Sequence, residues 1–116
     1  MTAPACWVHG DLYARHLLAD EVKNLVGVID WGDLHLGDAA LDLSIAWSFL
    51  HAEARTEFAA AYGVIGEASW NRARFRALNY GIILMLYGRD INDPHLRSVG
   101  EYALLQAAGP DRSDPD

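Results

Sequence analysis

Two aspartates, each following a short apolar run near the start of the chain, constrain the fold more than any other feature. Asp11 follows a His-Gly pair, and Asp30 ends the β-branched run 25–29. Between them lie a brief apolar run, 17–19, and a polar segment, 20–24, whose Asp and Asn favour a turn. We therefore predict a small β-hairpin. Because a hairpin brings strand ends together, Asp11 and Asp30 are expected to share one small volume.

The rest of the chain has a helical pattern. Helix formers, capping residues and glycine stops divide it into segments of helical length. We predict four helices, at about 39–51, 53–62, 69–87 and 94–108. The first is apolar nearly all round, which is typical of a helix at the centre of a domain. The expected fold class is α+β, mostly α, with a small hairpin packed on a helical bundle.

The third predicted helix carries apolar and basic residues at separate positions. We expect its apolar stripe to face the core and its basic residues to be solvated. The stripe consists of Phe75, Leu78, Ile82 and Leu86. The basic residues are Arg72, Arg74 and Arg76.

Composition excludes several classes of protein. The 116 residues suit one small domain, 1–109, followed by an acidic tail, 110–116, that we expect to be disordered. The net charge is −7 and no Lys/Arg cluster occurs, which disfavours nucleic-acid binding. No apolar run approaches the ~20 residues of a membrane span. With Cys6 as the only cysteine, no internal disulfide forms, and a cytoplasmic location is expected.

Carboxylates and histidines concentrate between positions 9 and 42. With the hairpin folded, Asp11, His16 and Asp30 are candidates for one cluster. Mg²⁺ in proteins usually takes one or two carboxylates together with substrate phosphates. A further carboxylate within hydrogen-bond reach accepts a proton from an attacking hydroxyl.

Three segments resemble one known family. Residues 8–18, VHGDLYARHLL, look like the catalytic loop of the aminoglycoside phosphotransferase family, which also covers choline, homoserine and macrolide kinases. Residues 27–31, GVIDW, resemble its second metal motif, and 37–43, GDAALDL, resemble the start of its central helix. The three motifs stand in the family's order and at its usual spacing. The resemblance implies a partial carboxyl-terminal lobe of a kinase-like fold.

The resemblance implies a role for each matching residue. Asp11 would be the catalytic base, and Asp30 would hold the Mg²⁺ that bridges the phosphates of ATP or GTP. His9 would stabilise the loop. Either Asp38 or Asp42 would anchor the loop through backbone N–H groups. The acceptor would be a hydroxyl of a small molecule, either antibiotic-like or a metabolite.

Two departures from the family pattern modify these expectations. His16 stands where most of the family has Asn as second metal ligand, and imidazole is a poorer match to Mg²⁺. The substitution favours the macrolide kinase branch. The family's nucleotide-holding amino-terminal lobe has no counterpart, and Lys23, the only lysine, lies in the predicted turn. We therefore expect a truncated product, inactive or impaired alone, that forms a homodimer or needs a partner supplying the missing lobe.

Two other classes of function stay open. The chain is alternatively a non-catalytic remnant that serves as an interaction or dimerisation module. A metal-dependent hydrolase built on His9, Asp11, His16 and Asp30 is the third reading, although zinc-site signatures are absent. Four acids in the helical part are candidates for attracting a cationic acceptor: Glu53, Glu57, Asp90 and Asp93.

Overall fold

Two small antiparallel sheets pack against a bundle of helices in the computed structural model, which describes residues 4–109. The strands are β1 Cys6–Val8, β2 Leu17–Ala19, β3 Leu25–Val28 and β4 His35–Gly37. The helices are α1 Ala40–Ser48, α2 Ala52–Tyr62, α3 Glu67–Asp90 and α4 Pro94–Ala108. Short 3₁₀ turns occupy Ala14–His16 and Trp31–Asp33. The predicted fold class, α+β and mostly α, is confirmed. The tail predicted at 110–116 lies outside the described residues.

The predicted hairpin is present as β2 and β3. These strands pair antiparallel, with an irregularity in register between Leu18 and Ala19. Asp20 stabilises the connecting turn, since its Oδ1 accepts hydrogen bonds from the backbone N–H groups of Val22 and Asn24 at 3.0 and 2.8 Å. The turn is of the kind that Asp side chains favour.

A second strand pair, β1 with β4, was not predicted. Trp7 lies opposite Leu36 in this antiparallel pair. The three residues of β4 include a glycine and follow a 3₁₀ turn, so their sequence carries no strand signal. The pairing brings the end of β1, where the His-Gly-Asp loop begins, close to the start of α1.

The first helix lies at the centre, as its apolar pattern predicts. Leu43 and Trp47 of α1 are buried against Ala73 and Ala77 of α3 and Ala107 of α4. Burial of such apolar surface is the main stabilising contribution in a domain of this size. No helix in the part of the chain from 4 to 109 is long and apolar enough to cross a membrane.

The apolar stripe predicted to bury α3 is mostly exposed. Phe75 is 72% exposed, and Ile82 and Leu86 are about half exposed. The buried face of α3 consists instead of small residues and one leucine: Ala73, Ala77, Gly81, Leu84 and Gly88. Small side chains let two helix backbones approach closely. The prediction is confirmed for Leu78, which packs against the core, and wrong for the other three residues because it assumed that the largest apolar residues face inward.

The basic residues of α3 make specific contacts. Arg74 donates a hydrogen bond from Nε to the carbonyl of Ala107 at 2.7 Å, and its guanidinium lies 4.7 Å from the ring centroid of Trp47. The prediction of a solvated residue is therefore wrong for Arg74. Arg72 is exposed but forms an ion pair with Asp38, with Nε and Oδ2 2.8 Å apart.

We predict that Gly100→Ala destabilises the protein, although alanine is the better helix former by about 1 kcal/mol. A Cβ at position 100 would lie 2.6 Å from the carbonyl oxygen of Gly81 and from the backbone nitrogen of Met85. Neither backbone atom can move without separating α3 from α4, so we expect a loss of about 2 kcal/mol or more in unfolding free energy. Urea denaturation measures it.

Gly66→Ala is the control, because a Cβ there meets no atom within 4 Å. Equal stability of the two variants would contradict the proposed close approach of α3 and α4.

Candidate active site

One carboxylate at the start of α1 holds the loop that follows β1. Asp42 Oδ2 accepts a hydrogen bond from the backbone N–H of His9 at 2.7 Å, and Oδ1 accepts one from Gly10 at 3.1 Å. Sequence reasoning left Asp38 and Asp42 as alternatives for this contact, and in the structure Asp42 makes it. Each carboxylate oxygen satisfies one backbone donor, and charged acceptors make the stronger hydrogen bonds.

The buried ring of His9 connects this loop to the loop that carries Asp30. Its Nδ1 accepts a hydrogen bond from the Asp11 backbone N–H at 3.2 Å, and its Nε2 lies 2.7 Å from the carbonyl oxygen of Ile29. This pattern assigns the proton to Nε2, which donates to Ile29. The ring also packs on Trp31, with 4.6 Å between centroids. His9 therefore fixes the backbone beside both aspartates.

Gly10 is required by the shape of the loop. Its φ of 92° is in the left-handed region that L side chains rarely adopt. A Cβ at this position would also lie 2.5 Å from the carbonyl oxygen of Asp33. The loop therefore approaches the 3₁₀ turn Trp31–Asp33 so closely that a side chain larger than that of glycine does not fit.

Asp11 has a partner that the sequence did not indicate. The hydroxyl of Tyr80, on α3, donates a short hydrogen bond to Asp11 Oδ1 across 69 positions of sequence. Burial raises the pKa of Tyr80, and the hydrogen bond and negative charge of Asp11 raise it further. The phenol thus stays protonated at neutral pH and serves as a donor. No local sequence pattern distinguishes a tyrosine that contacts Asp11 from one that only packs in the core.

His16 lies between the two aspartates. Its buried ring places Nδ1 2.7 Å from the backbone carbonyl oxygen of Asp11 and Nε2 3.1 Å from Asp30 Oδ2. The ring of Tyr13 packs edge-on against it, 4.5 Å between centroids. Asp11, His16 and Asp30 are therefore brought together, as the hairpin argument predicted.

Both nitrogens of the His16 ring face oxygen acceptors, which limits what can lie between the ring and Asp30. A neutral ring that donates from Nδ1 to Asp11 directs the lone pair of Nε2 at the carboxylate. Either a second proton or a cation then separates them. The 3.1 Å between Nε2 and Asp30 Oδ2 is a hydrogen-bond distance, and both atoms would reach a cation bound beside them.

Two protein ligands fit a Mg²⁺ that keeps waters and binds phosphates. Within residues 4–109, no group of three or more His, Cys, Asp or Glu side chains is arranged to hold a metal ion. The candidate metal position is therefore formed by His16 and Asp30 alone. Asp30 has a left-handed backbone, with φ of 62°, and its side chain is 69% exposed.

Asp38 stabilises the start of α1 and does not contact the loop. Its Oδ1 accepts a hydrogen bond from the backbone N–H of Ala40 at 2.9 Å, and its other oxygen pairs with Arg72. The hydrogen bond from Arg72, followed by that from Ala40, lowers the pKa of Asp38 below its usual value. Asp38 is thus a capping residue, in agreement with its position.

The loop with Asp11, the loop with Asp30 and the start of the central helix α1 contain the three segments that resemble phosphotransferase motifs. A family model agrees: that of the phosphotransferase enzyme family (APH) matches residues 1–78 of the chain. This chain belongs to that family. No curated protein and no solved structure matches it.

We predict that Asp42→Asn loosens the His9–Gly10 loop. The asparagine keeps one acceptor oxygen but turns an NH₂ group toward the second backbone donor, which costs about 1–3 kcal/mol. Hydrogen exchange at the His9 and Gly10 amides should accelerate by about tenfold or more, since 1.4 kcal/mol is tenfold in an equilibrium.

Asp38→Asn is the matched control. It keeps an N-cap of similar quality at the same helix, so exchange at His9 and Gly10 should not change. Faster exchange in Asp38→Asn, or an unchanged exchange rate in Asp42→Asn, would contradict the assignment of the anchor to Asp42.

Proposed function

We propose that this chain carries the base and metal-binding loops of a phosphotransferase that moves the γ-phosphoryl group of ATP or GTP to a hydroxyl of a small molecule. One observation carries the proposal: His16 joins Asp11 to Asp30 within a loop that Asp42 anchors. Family membership supports the same class of reaction. Phosphoryl transfer depends mainly on positioning and charge stabilisation, which such an anchored loop supplies.

Asp11 is the proposed catalytic base. Its Oδ1 already accepts a hydrogen bond from a hydroxyl, that of Tyr80, so the carboxylate is oriented to accept a proton from an acceptor alcohol. As the acceptor oxygen bonds to the γ-phosphorus, the bond from that phosphorus to the bridging oxygen breaks. The hydroxyl proton passes to Asp11, and the nucleoside diphosphate leaves.

Asp30 and His16 are the proposed metal-binding residues. Their Nε2 and Oδ2 atoms lie 3.1 Å apart, so both would contact one Mg²⁺ bound beside them. When bound, Mg²⁺ neutralises charge on the phosphates. His9 holds the backbone of both loops in register, and the Asp42 carboxylate keeps that register fixed to α1.

The proposal includes a restriction on the chain alone. Lys23, the only lysine of the sequence, lies in the exposed turn between β2 and β3. We propose that a phosphate-binding group is supplied by a partner lobe, and that the chain by itself transfers phosphate slowly or not at all. Histidine at position 16 favours the macrolide kinase branch of the family, and the single cysteine favours a cytoplasmic setting.

We predict that Mg²⁺ with ATP or GTP stabilises the folded chain weakly, and that Asp30→Asn abolishes the effect. A ligand that binds only the folded state stabilises it by about 1.4 kcal/mol at ten times its Kd. The shift, measured by thermal unfolding at millimolar nucleotide, should require Mg²⁺ and nucleotide together.

Asp33→Asn is the control, because it removes an exposed carboxylate from the neighbouring 3₁₀ turn. No stabilisation by either nucleotide, or an equal loss in both variants, would count against the proposed metal position.

A second candidate function, as an interaction or dimerisation module, has an observation in its favour. The exposed stripe on α3, formed by Phe75, Ile82 and Leu86, is a row of large apolar side chains on one helix. Surfaces of this kind mark contacts with other proteins. In residues 4–109, no comparable observation favours a metal-dependent hydrolase.

We predict a dimer at high concentration that Phe75→Ser dissociates. Val64→Ser is the control, since Val64 is fully exposed but lies outside α3. Size-exclusion chromatography with light scattering measures the mass. A monomer at all concentrations would exclude self-association through the stripe.

A further inference from the structure

A cavity lies next to the candidate base, between the end of α1 and the facing sides of α3 and α4. Its volume is about 400 Å³, which is in the range of small-molecule sites, roughly 300–1,000 Å³. Tyr80, which lines it, is the residue whose hydroxyl bonds to Asp11. Tyr13, also in the lining, packs its ring 5.8 Å from that of Tyr80. The side chain of Tyr80 therefore connects the cavity to Asp11, the candidate base.

The lining is aromatic and aliphatic, with neutral polar groups between. Phe49, Leu84 and Val99 contribute apolar surface. Ser48 and Ser98 add hydroxyl groups. Among the described residues that line the cavity, none carries a carboxylate. Such a surface favours an uncharged ring body, because a cationic group within the lining would lose its hydration without gaining a counter-charge there.

Asp93, an acid two positions before the lining residue His95, has other partners. Asp93 caps α4, where its Oδ1 accepts a hydrogen bond from Leu96 N–H at 3.0 Å. Its Oδ2 pairs with Arg15 at 2.8 Å. Arg15 in turn donates to Nδ1 of His95, which lines the cavity. Of the four acids that the sequence suggested as an attraction for cations, Asp93 is thus paired with a basic side chain.

The Tyr80 hydroxyl indicates how a ligand in the cavity would reach Asp11. It donates to Oδ1 in the way that an acceptor alcohol must donate to its base. A ligand whose hydroxyl replaces that of Tyr80 gains the same hydrogen bond. The ring of such a ligand lies among aromatic side chains, whose large faces favour ring contacts.

We propose that this cavity binds the acceptor, and that the acceptor is an uncharged alcohol with an apolar ring body whose hydroxyl replaces that of Tyr80 on Asp11. The inference rests on the proposed function for the identity of the acceptor. Binding itself requires neither nucleotide nor Mg²⁺, so the two proposals fail separately.

Naphthylmethanol is the probe, and methylnaphthalene, which lacks the hydroxyl, is its matched comparison. We expect the alcohol to bind more tightly, and to shift the carboxyl carbon NMR signal of Asp11 where methylnaphthalene does not. Deoxystreptamine, a cationic aminocyclitol, should not displace the alcohol. Displacement at equal concentration would overturn the uncharged class of ligand.

Val99→Trp fills the cavity and should weaken binding of the alcohol at least tenfold. The control is Val22→Trp, in the β2–β3 turn, which should leave binding of the alcohol unchanged. If Val99→Trp does not fold, Ser98→Trp at the exposed rim is the replacement. Unchanged binding in the cavity variant overturns the site. NMR signals of lining residues that shift with protein concentration in the absence of the alcohol would show that a second copy of the chain occupies the cavity. That result also overturns the proposal.

Discussion

The geometry of the candidate site depends on the carboxylate of Asp42. This carboxylate accepts hydrogen bonds from the backbone N–H groups of His9 and Gly10. Asp42 lies in the first turn of α1, where the helix dipole also favours negative charge. Since α1 is the central buried helix, the loop is fixed to the hydrophobic core of the fold. Packing of the core and the position of Asp11 are therefore linked through a single side chain.

From that anchor, the other contacts extend in two directions. His9 links the two loops, since its Nδ1 accepts a hydrogen bond from the Asp11 backbone and its Nε2 donates one to the carbonyl of Ile29, beside Asp30. On the opposite side, Tyr80 ties Asp11 to α3. Asp11 is thus held from the hairpin and from the helical bundle together. A shift of either layer would move Asp11 relative to Asp30, and the proposed chemistry depends on such positioning.

Local signals predicted much of the fold, and long-range contacts explain what they missed. The hairpin turn at Asp20 and the end of α2 at Gly63 are set by residues close in sequence, so they could be predicted. The buried face of α3 could not, because it depends on how closely Gly81 approaches Gly100 of α4. For the same reason the pairing of Tyr80 with Asp11 left no trace in either local sequence.

The position of Tyr80 has a consequence for how such a site selects its acceptor. Tyr80 and Leu84 lie one turn apart on α3, so one helix contributes both the donor to Asp11 and an apolar wall of the adjacent cavity. A change in α3 that reshapes the wall also moves the phenol that orients the base. On α3, recognition of the proposed acceptor and orientation of Asp11 are therefore coupled. Changes at Phe49, which follows α1, or at Val99 of α4 would reshape the cavity without altering α3.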